Sequence, residues 1–92
     1  MPINKQDTIC APATIPGTGA ISVIRLSGPE ALSIADKVVT CNGTPLSSTD
    51  GYRIRYGTVL DNDGETVDNV LVSVFRAPHS YTGEDSAEIS CH

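Results

Sequence analysis

Lysine and arginine are scarce in this sequence. Only six of its 92 residues are Lys or Arg, against eleven Asp and Glu, so the net charge is -5 and the isoelectric point lies near 4.6. Proteins that bind nucleic acid directly neutralise its phosphates with clustered Lys and Arg. This composition argues against direct RNA or DNA binding by the chain.

Long apolar runs and a leader pattern are also absent. No run approaches the roughly 20 apolar residues that cross a bilayer. The opening MPINKQDTIC lacks the basic and then apolar order of a signal peptide. We therefore expect no membrane association and a cytoplasmic location.

Cysteines are few and widely spaced. Cys10, Cys41 and Cys91 form no CxxC pair, which favours free thiols over a disulfide framework or a zinc ribbon. Cys91 and His92 are adjacent, and neighbouring residues on a strand point to opposite faces. No metal site is predicted.

What the sequence does contain suits one small folded domain. Hydrophobic residues make up 39% of the chain and charged residues 18%, which is too apolar for a disordered tail. A chain of this length has room for one modest core.

The first clear strand is predicted at residues 20–27, where both faces carry apolar side chains. Such a strand is expected at the centre of a sheet. Arg25 shares a face with Ile21 and Val23, and a guanidinium there needs compensation for its lost hydration. Its partner is either a ligand anion or an internal carboxylate in a salt bridge.

The remaining elements follow from periodicity and turn residues. A helix is predicted to start at residues 27–30, with Ser27 or Gly28 as its cap, to bury Ala31, Ile34, Ala35 and Val38, and to stop at Asn42-Gly43. Residues 42–50 are interpreted as a loop. Residues 54–60 and 67–75 predict a hairpin joined by a turn at 61–64, and Ala87, Ile89 and Cys91 predict a last strand. These elements indicate an α+β domain with a small mixed or antiparallel sheet and one main helix.

Two loops draw attention as candidate sites. Residues 14–19, TIPGTG, lack the lysine and the following helix of a phosphate loop, so a tight turn before a strand is favoured over nucleotide binding. Residues 78–85 contain His79, Glu84 and Asp85. A small enzyme that uses these three residues as acid and base is one hypothesis, and a solvated turn is the other. No nucleophile elbow is present, and we assign no catalytic residue.

Three sequence blocks resemble one known family. DTICA, AISVIRLSGPEAL and FRAPHSYTGEDSAEISCH are similar to the start of the MnmE/TrmE tRNA-modification GTPases, which read D-T-I-x-A, then I-R-[LIV]-S-G, then S-[YF]-T-G-E-D-x-x-E. The resemblance covers essentially the whole chain. It identifies residues 1–92 as the amino-terminal domain of a longer protein whose helical and GTPase domains lie outside this chain.

This resemblance carries its own expectations. The domain is expected to be similar in fold to the folate-binding domain of aminomethyltransferases, to bind a reduced folate (5-formyl- or 5,10-methylenetetrahydrofolate) and to form a homodimer. Arg25 and Glu88 match the folate-contacting Arg and Glu of the family motifs, and a further contacting Lys lies downstream of the chain. Where the family commonly has Pro-Pro-Gly-Arg, this sequence has Ile15-Pro16-Gly17-Thr18, so no basic contact is expected from that loop.

The family also implies partners and cofactors of the longer protein. GTP, Mg and K belong to the GTPase domain, and tRNA and a flavoprotein partner act with the full-length protein, in which folate supplies a carbon for a wobble uridine. Two functions stay open for the chain. It is a folate-binding and dimerisation module, or it is a purely structural dimerisation domain that does not bind folate by itself.

Overall fold

Six strands and one α-helix form the part of the chain that the computed structural model describes, residues 7–13 and 21–91. In chain order they are β1 (Ile9–Pro12), β2 (Ser22–Ser27), α1 (Ala31–Val38), β3 (Val39–Cys41), β4 (Arg53–Leu60), β5 (Thr66–Phe75) and β6 (Ser86–Cys91), with a short 3₁₀ helix at Leu46–Ser48. The α+β prediction is confirmed. All the described strand pairs are antiparallel.

The strands form one sheet in the order β1-β2-β6-β5-β4-β3. Strand β2 has neighbours on both sides, which confirms its predicted place inside the sheet. Its partner β6 comes from the other end of the described chain, and the register of the two strands sets Arg25 directly opposite Glu88. The two sequence blocks that contain these residues are therefore adjacent in space.

The core lies on one side of this sheet, beneath α1. Its buried residues are Leu26, Ala31, Leu32, Ala35, Val39, Leu46, Val70, Val72, Val74, Ala87 and Ile89. We call the opposite side the open face. The alternation of side chains along each strand places on it Val23, Arg25, Ile54, Tyr56, Leu71, Ser73, Glu88 and Ser90. Ile54 and Tyr56 remain 68% and 62% exposed, so the β4 part of this face is not covered within the described chain.

The helix differs from its prediction at both ends. It begins at Ala31 with Glu30 as N-cap and no side-chain cap hydrogen bond, so neither Ser27 nor Gly28 is the cap. Gly28 instead has a φ of +140°, and a Cβ built there would lie 2.5 Å from the Thr8 Cα, which only glycine accommodates without displacing the chain. The helix ends at Val38 and leads directly into β3, because Val39 adopts extended backbone as the C-cap. No helix in the described segments is long and apolar enough to cross a membrane.

The segment 42–50 is more ordered than the predicted loop. It contains the 3₁₀ helix, and its Leu46 is fully buried in the core. The Asp36 carboxylate of α1 accepts hydrogen bonds from the backbone N–H groups of Leu46 (2.6 Å) and Ser47 (3.1 Å). Asp36 thus holds this segment against the core.

The hairpin and the last strand match their predictions. Strands β4 and β5 are joined by a turn in which Gly64 has a φ of +82°. In this turn the Asp61 Oδ1 accepts hydrogen bonds from the N–H groups of Asp63 and Glu65, both at 2.9 Å. In β6, Ala87 and Ile89 are buried as the alternation predicts. The predicted start of β2 at residue 20 and the turn at 14–19 lie outside the described residues.

Candidate functional site

An ion pair lies at the centre of the open face. The Arg25 Nε donates a hydrogen bond to the Glu88 Oε2 at 2.8 Å, and the Arg25 Nη2 lies 2.8 Å from the same oxygen. Both side chains are partly exposed, at 30% and 26%. The internal carboxylate that pairs with Arg25 is thus Glu88, the other residue that the family motifs single out.

Two serines are the neighbours of Glu88 on the open face. Its neighbour across β5 is Ser73, and the next residue of β6 on the same face is Ser90. Both side chains are small, and Ser90 lies between Val23 and Leu71 in the adjacent row of the sheet. Because Arg25 uses only Oε2, the Glu88 Oε1 lies outside the pair. One carboxylate oxygen of Glu88 is therefore not engaged by Arg25 and has small polar side chains as its neighbours on the sheet.

The Tyr81 side chain lies over the Arg25 guanidinium on the open face. Its ring centroid lies 4.8 Å from the Arg25 Cζ, within the range of a cation–π contact, and the residue is 85% exposed. Sequence reasoning places Tyr81 in a candidate loop but assigns it no role. Tyr81 is distinguished only by its position in the structure, next to Thr82, whose hydroxyl hydrogen-bonds to Ser27 of β2.

Hydrogen bonds fasten the loop of residues 76–85 over the end of the open face. The buried Ser27 hydroxyl lies 2.6 Å from the Thr82 Oγ1 and donates to the Glu84 Oε1 at 3.2 Å. Because Ser27 has one hydrogen to donate, Thr82 is the donor in their mutual bond. The Ser80 hydroxyl donates to the Glu84 carbonyl oxygen. The backbone on both sides of Tyr81 is therefore held.

A second ion pair holds the start of the same loop to its end. The Arg76 Nη1 lies 3.2 Å from the Asp85 Oδ2, and the Asp85 Oδ1 accepts the Ala77 N–H at 2.8 Å. Arg76 also donates to the carbonyl oxygens of Ser47 and Thr49. The hypothesis of an enzyme based on His79, Glu84 and Asp85 gains no support from these contacts. The Glu84 carboxylate accepts the Ser27 hydroxyl of β2, and the Asp85 carboxylate pairs with Arg76. The His79 ring is exposed and lies 6.3 Å from the Tyr52 ring.

The cysteines form no disulfide with one another. The Cys91 thiol lies 3.5 Å from the Ser22 carbonyl oxygen, to which it donates. Burial raises the pKa of the Cys41 thiol, against the opposing effect of the nearby Arg55, so Cys41 is not an activated nucleophile. No group of three His, Cys, Asp or Glu suited to a metal ion occurs in residues 7–13 and 21–91, and His92 lies outside them.

An apolar groove lies on the other side of the sheet, between α1 and the strands. Its volume is about 630 Å³. The side chains that line it are those of Cys10, Ile24, Leu26, Ile34, Val38, Val59, Val67, Asp68, Ile89 and Cys91. We call it the helix-side groove. The Arg25–Glu88 pair lies on the opposite face, so the groove and the ion pair are separate features.

Comparison with known proteins connects these features to a family. A family model described as "GTP-binding protein TrmE N-terminus" matches residues 8–92. The chain is 54% identical over 90 residues to a tRNA modification GTPase MnmE of Bacteroides fragilis, which covers 96% of the chain. It is 53% identical over 89 residues to the protein of that name from Moorella thermoacetica and 49% identical over 89 residues to that from Parabacteroides distasonis, each covering 95% of the chain.

The matched length is a small part of these relatives. The chain spans 19% of the length of each of them. Within that span the model match includes both strands that form the ion pair and the loop that carries Tyr81. The chain therefore belongs to the MnmE/TrmE family, whose amino-terminal domain it matches.

Proposed function

We propose that this chain is the reduced-folate-binding and dimer-forming domain of a tRNA modification GTPase. The observation that supports the folate part is the Arg25–Glu88 pair itself. Two residues that the family resemblance implies as folate contacts, distant in the sequence, lie directly opposite each other on adjacent strands. They do so on the face of the sheet opposite α1, where the Tyr81 ring lies over Arg25.

The chemistry of the pair suits a pterin. A carboxylate accepts hydrogen bonds only, and the amino-pyrimidine edge of a pterin presents two N–H donors side by side. Glu88 would accept from this edge, with Oε1 outside its contact to Arg25. Arg25 has five N–H donors in a planar fork and would donate to a carbonyl or carboxylate oxygen of the same ligand. Hydrogen bonds with one charged partner contribute about 1.5–3 kcal/mol each.

Calorimetric titration tests this function. 5-Formyltetrahydrofolate is titrated into the 92-residue chain and into a version extended through the downstream Lys that the resemblance implies. We expect saturable binding, with one ligand per chain at most. We expect no binding of GTP by the 92-residue chain, because its sequence lacks the GKS/T of a phosphate loop. If neither version binds 5-formyl- or 5,10-methylenetetrahydrofolate, the folate proposal is wrong.

A purely structural dimerisation domain is the second candidate. The ion pair is consistent with this candidate, because Arg25 and Glu88 neutralise each other without a ligand. On this alternative the pair only holds β2 to β6. Melting temperature with and without folate separates the two functions, because a ligand that binds the native state raises its stability by mass action.

Dimer formation is proposed through the open face. Ile54, Tyr56 and Leu71 are 68%, 62% and 49% exposed and lie on adjacent strands β4 and β5 with their side chains on the same side. A contiguous apolar surface of this kind marks an interaction site, and a two-fold axis would bring it against its own copy.

Sedimentation velocity measures the expected self-association. We predict that wild type forms a dimer as its concentration rises and that Leu71→Lys shifts it toward monomer, because a charge in an apolar interface loses its hydration. Val67→Lys is the matched control. Val67 is similarly exposed, at 64%, but lines the helix-side groove. Dimer loss in Val67→Lys alone would place the interface at the groove instead.

The activity of the longer protein is proposed on the names of the relatives, tRNA modification GTPases, and on what the resemblance of the sequence motifs implies. As a tRNA modification GTPase it would use GTP, with Mg and K, in a domain outside this chain. Its tRNA substrate and flavoprotein partner would likewise act with the complete protein. The acidic composition of this domain favours RNA contact by other domains.

A further inference from the structure

Tyr81 occupies an unusual position for a tyrosine on a loop. Its ring lies 4.8 Å from the Arg25 Cζ, directly over the site, yet the residue is 85% exposed. A ring that packs only for stability buries most of its area. Tyr81 buries little, so its place over Arg25 needs another explanation.

The loop around Tyr81 is fixed while the ring is not. Thr82 and Glu84 bind the buried Ser27 hydroxyl, and Ser80 binds the Glu84 carbonyl oxygen. The ring itself is held over the sheet by its contact with a guanidinium that is also partly exposed. A rotation about the side-chain torsions of Tyr81 therefore leaves the loop in place and breaks little packing.

The distance between the Tyr81 ring and the Arg25 guanidinium limits how a ligand can bind at this site. At 4.8 Å from the Arg25 Cζ the ring leaves no gap for a second flat ring, which needs roughly 3.5 Å on each side. A ligand that reaches Glu88 must either avoid Tyr81 or replace Arg25 as its stacking partner. Ser73 and Ser90, the neighbours of Glu88 on this face, have small side chains that do not obstruct a flat ring bound at Glu88.

We propose that Tyr81 is an aromatic cap that turns from the Arg25 guanidinium onto the planar ring of a bound heteroaromatic ligand. This inference rests on the proposed folate function and adds a residue to it. The pyrimidinone half of a reduced pterin is planar and presents its hydrogen-bonding edge to Glu88. Its π-face is then available to Tyr81, whose contact selects for a flat ring in a way that the ion pair alone does not.

The ring, and not the phenolic hydroxyl, carries this role. Tyr81→Leu removes the π-face and keeps an apolar side chain, and it is expected to weaken 5-formyltetrahydrofolate binding about five- to tenfold. Tyr81→Phe is the conservative variant and is expected to restore binding to within about twofold of wild type. Because Tyr81 is so exposed, the melting temperature without ligand should be the same in all three proteins.

Contact between the Tyr81 ring and the bound ligand is tested by NMR on protein labelled at the tyrosine rings. The chain has three tyrosines, and the Tyr81 signals are identified by their absence from the Tyr81→Phe spectrum. Adding ligand should shift the Tyr81 ring signals most, by the ring current of the pterin. It should also shift the Arg25 Nε–H signal as the tyrosine leaves the guanidinium.

The outcomes separate this inference from the function on which it rests. If wild type, extended through the downstream Lys, binds no reduced folate, the proposed function fails and the cap with it. If wild type binds and Tyr81→Leu binds equally well, the function stands and the cap is wrong. If Tyr81→Phe weakens binding as much as Tyr81→Leu does, the hydroxyl makes the contact and stacking is wrong.

Discussion

Replacing Glu88 by alanine is expected to weaken 5-formyltetrahydrofolate binding by about ten- to a hundredfold. The variant removes the acceptor for the amino-pyrimidine edge, and each charge-assisted hydrogen bond contributes about 1.5–3 kcal/mol. Calorimetric titration of the version extended through the downstream Lys measures the change. Glu65→Ala is the control, because Glu65 is an exposed acidic residue in the β4–β5 turn, and it should bind as wild type does.

Arg25→Ala is the partner variant in the same experiment. We expect a similar loss of affinity, since Arg25 donates to the ligand. The loss of Arg25 also leaves the partly buried Glu88 carboxylate without its partner, which should cost about 1 kcal/mol of stability even without folate. Unchanged affinity in both variants, with wild type clearly binding, would mean that the site lies elsewhere on the domain.

Leu46→Ala is expected to lower the free energy of unfolding by about 2–5 kcal/mol. Leu46 is 0% exposed, and its removal leaves a cavity under α1 that the fixed 3₁₀ segment cannot easily fill. The total free energy of unfolding of small domains is only about 5–15 kcal/mol, so this substitution is expected to remove a large fraction of it. Urea denaturation followed by circular dichroism measures the loss.

The control for this prediction is Leu60→Ala. Leu60 lies at the end of β4 and is 38% exposed, so the same atoms are removed from a site that water already reaches. We expect a loss below about 1 kcal/mol. If Leu46→Ala cost no more than Leu60→Ala, the 42–50 segment would not be part of the core in solution.

Local patterns account for the parts of the fold that the sequence predicts. The apolar run of β2, the alternation in β6 and the Gly64 turn of the hairpin each depend on residues close together in the chain. Arg25 is also recognisable from local sequence, because its charge interrupts the apolar pattern of its strand next to Val23. The structure identifies the partner that this anomaly requires, Glu88, although spacing alone could not name it.

The missed features depend on contacts between distant residues. Strands β1 and β3 have only four and three residues, too few for a periodic pattern to be recognised, and they are defined by their pairing with β2 and β4. Leu46 is buried because Asp36 holds its backbone. Family resemblance singles out Glu88, but the place of Tyr81 over Arg25 becomes visible only in three dimensions.

The distance along the chain between β2 and β6 has a consequence for the order of folding. Arg25 and Glu88 are 63 residues apart, whereas a short turn joins β4 to β5. Contacts between near residues form faster than those that close a long loop, so the hairpin can form early, while β2 must wait for β6. The Arg25–Glu88 site therefore exists only in the completely folded chain. A ligand bound there should slow unfolding and leave the early steps of folding unchanged.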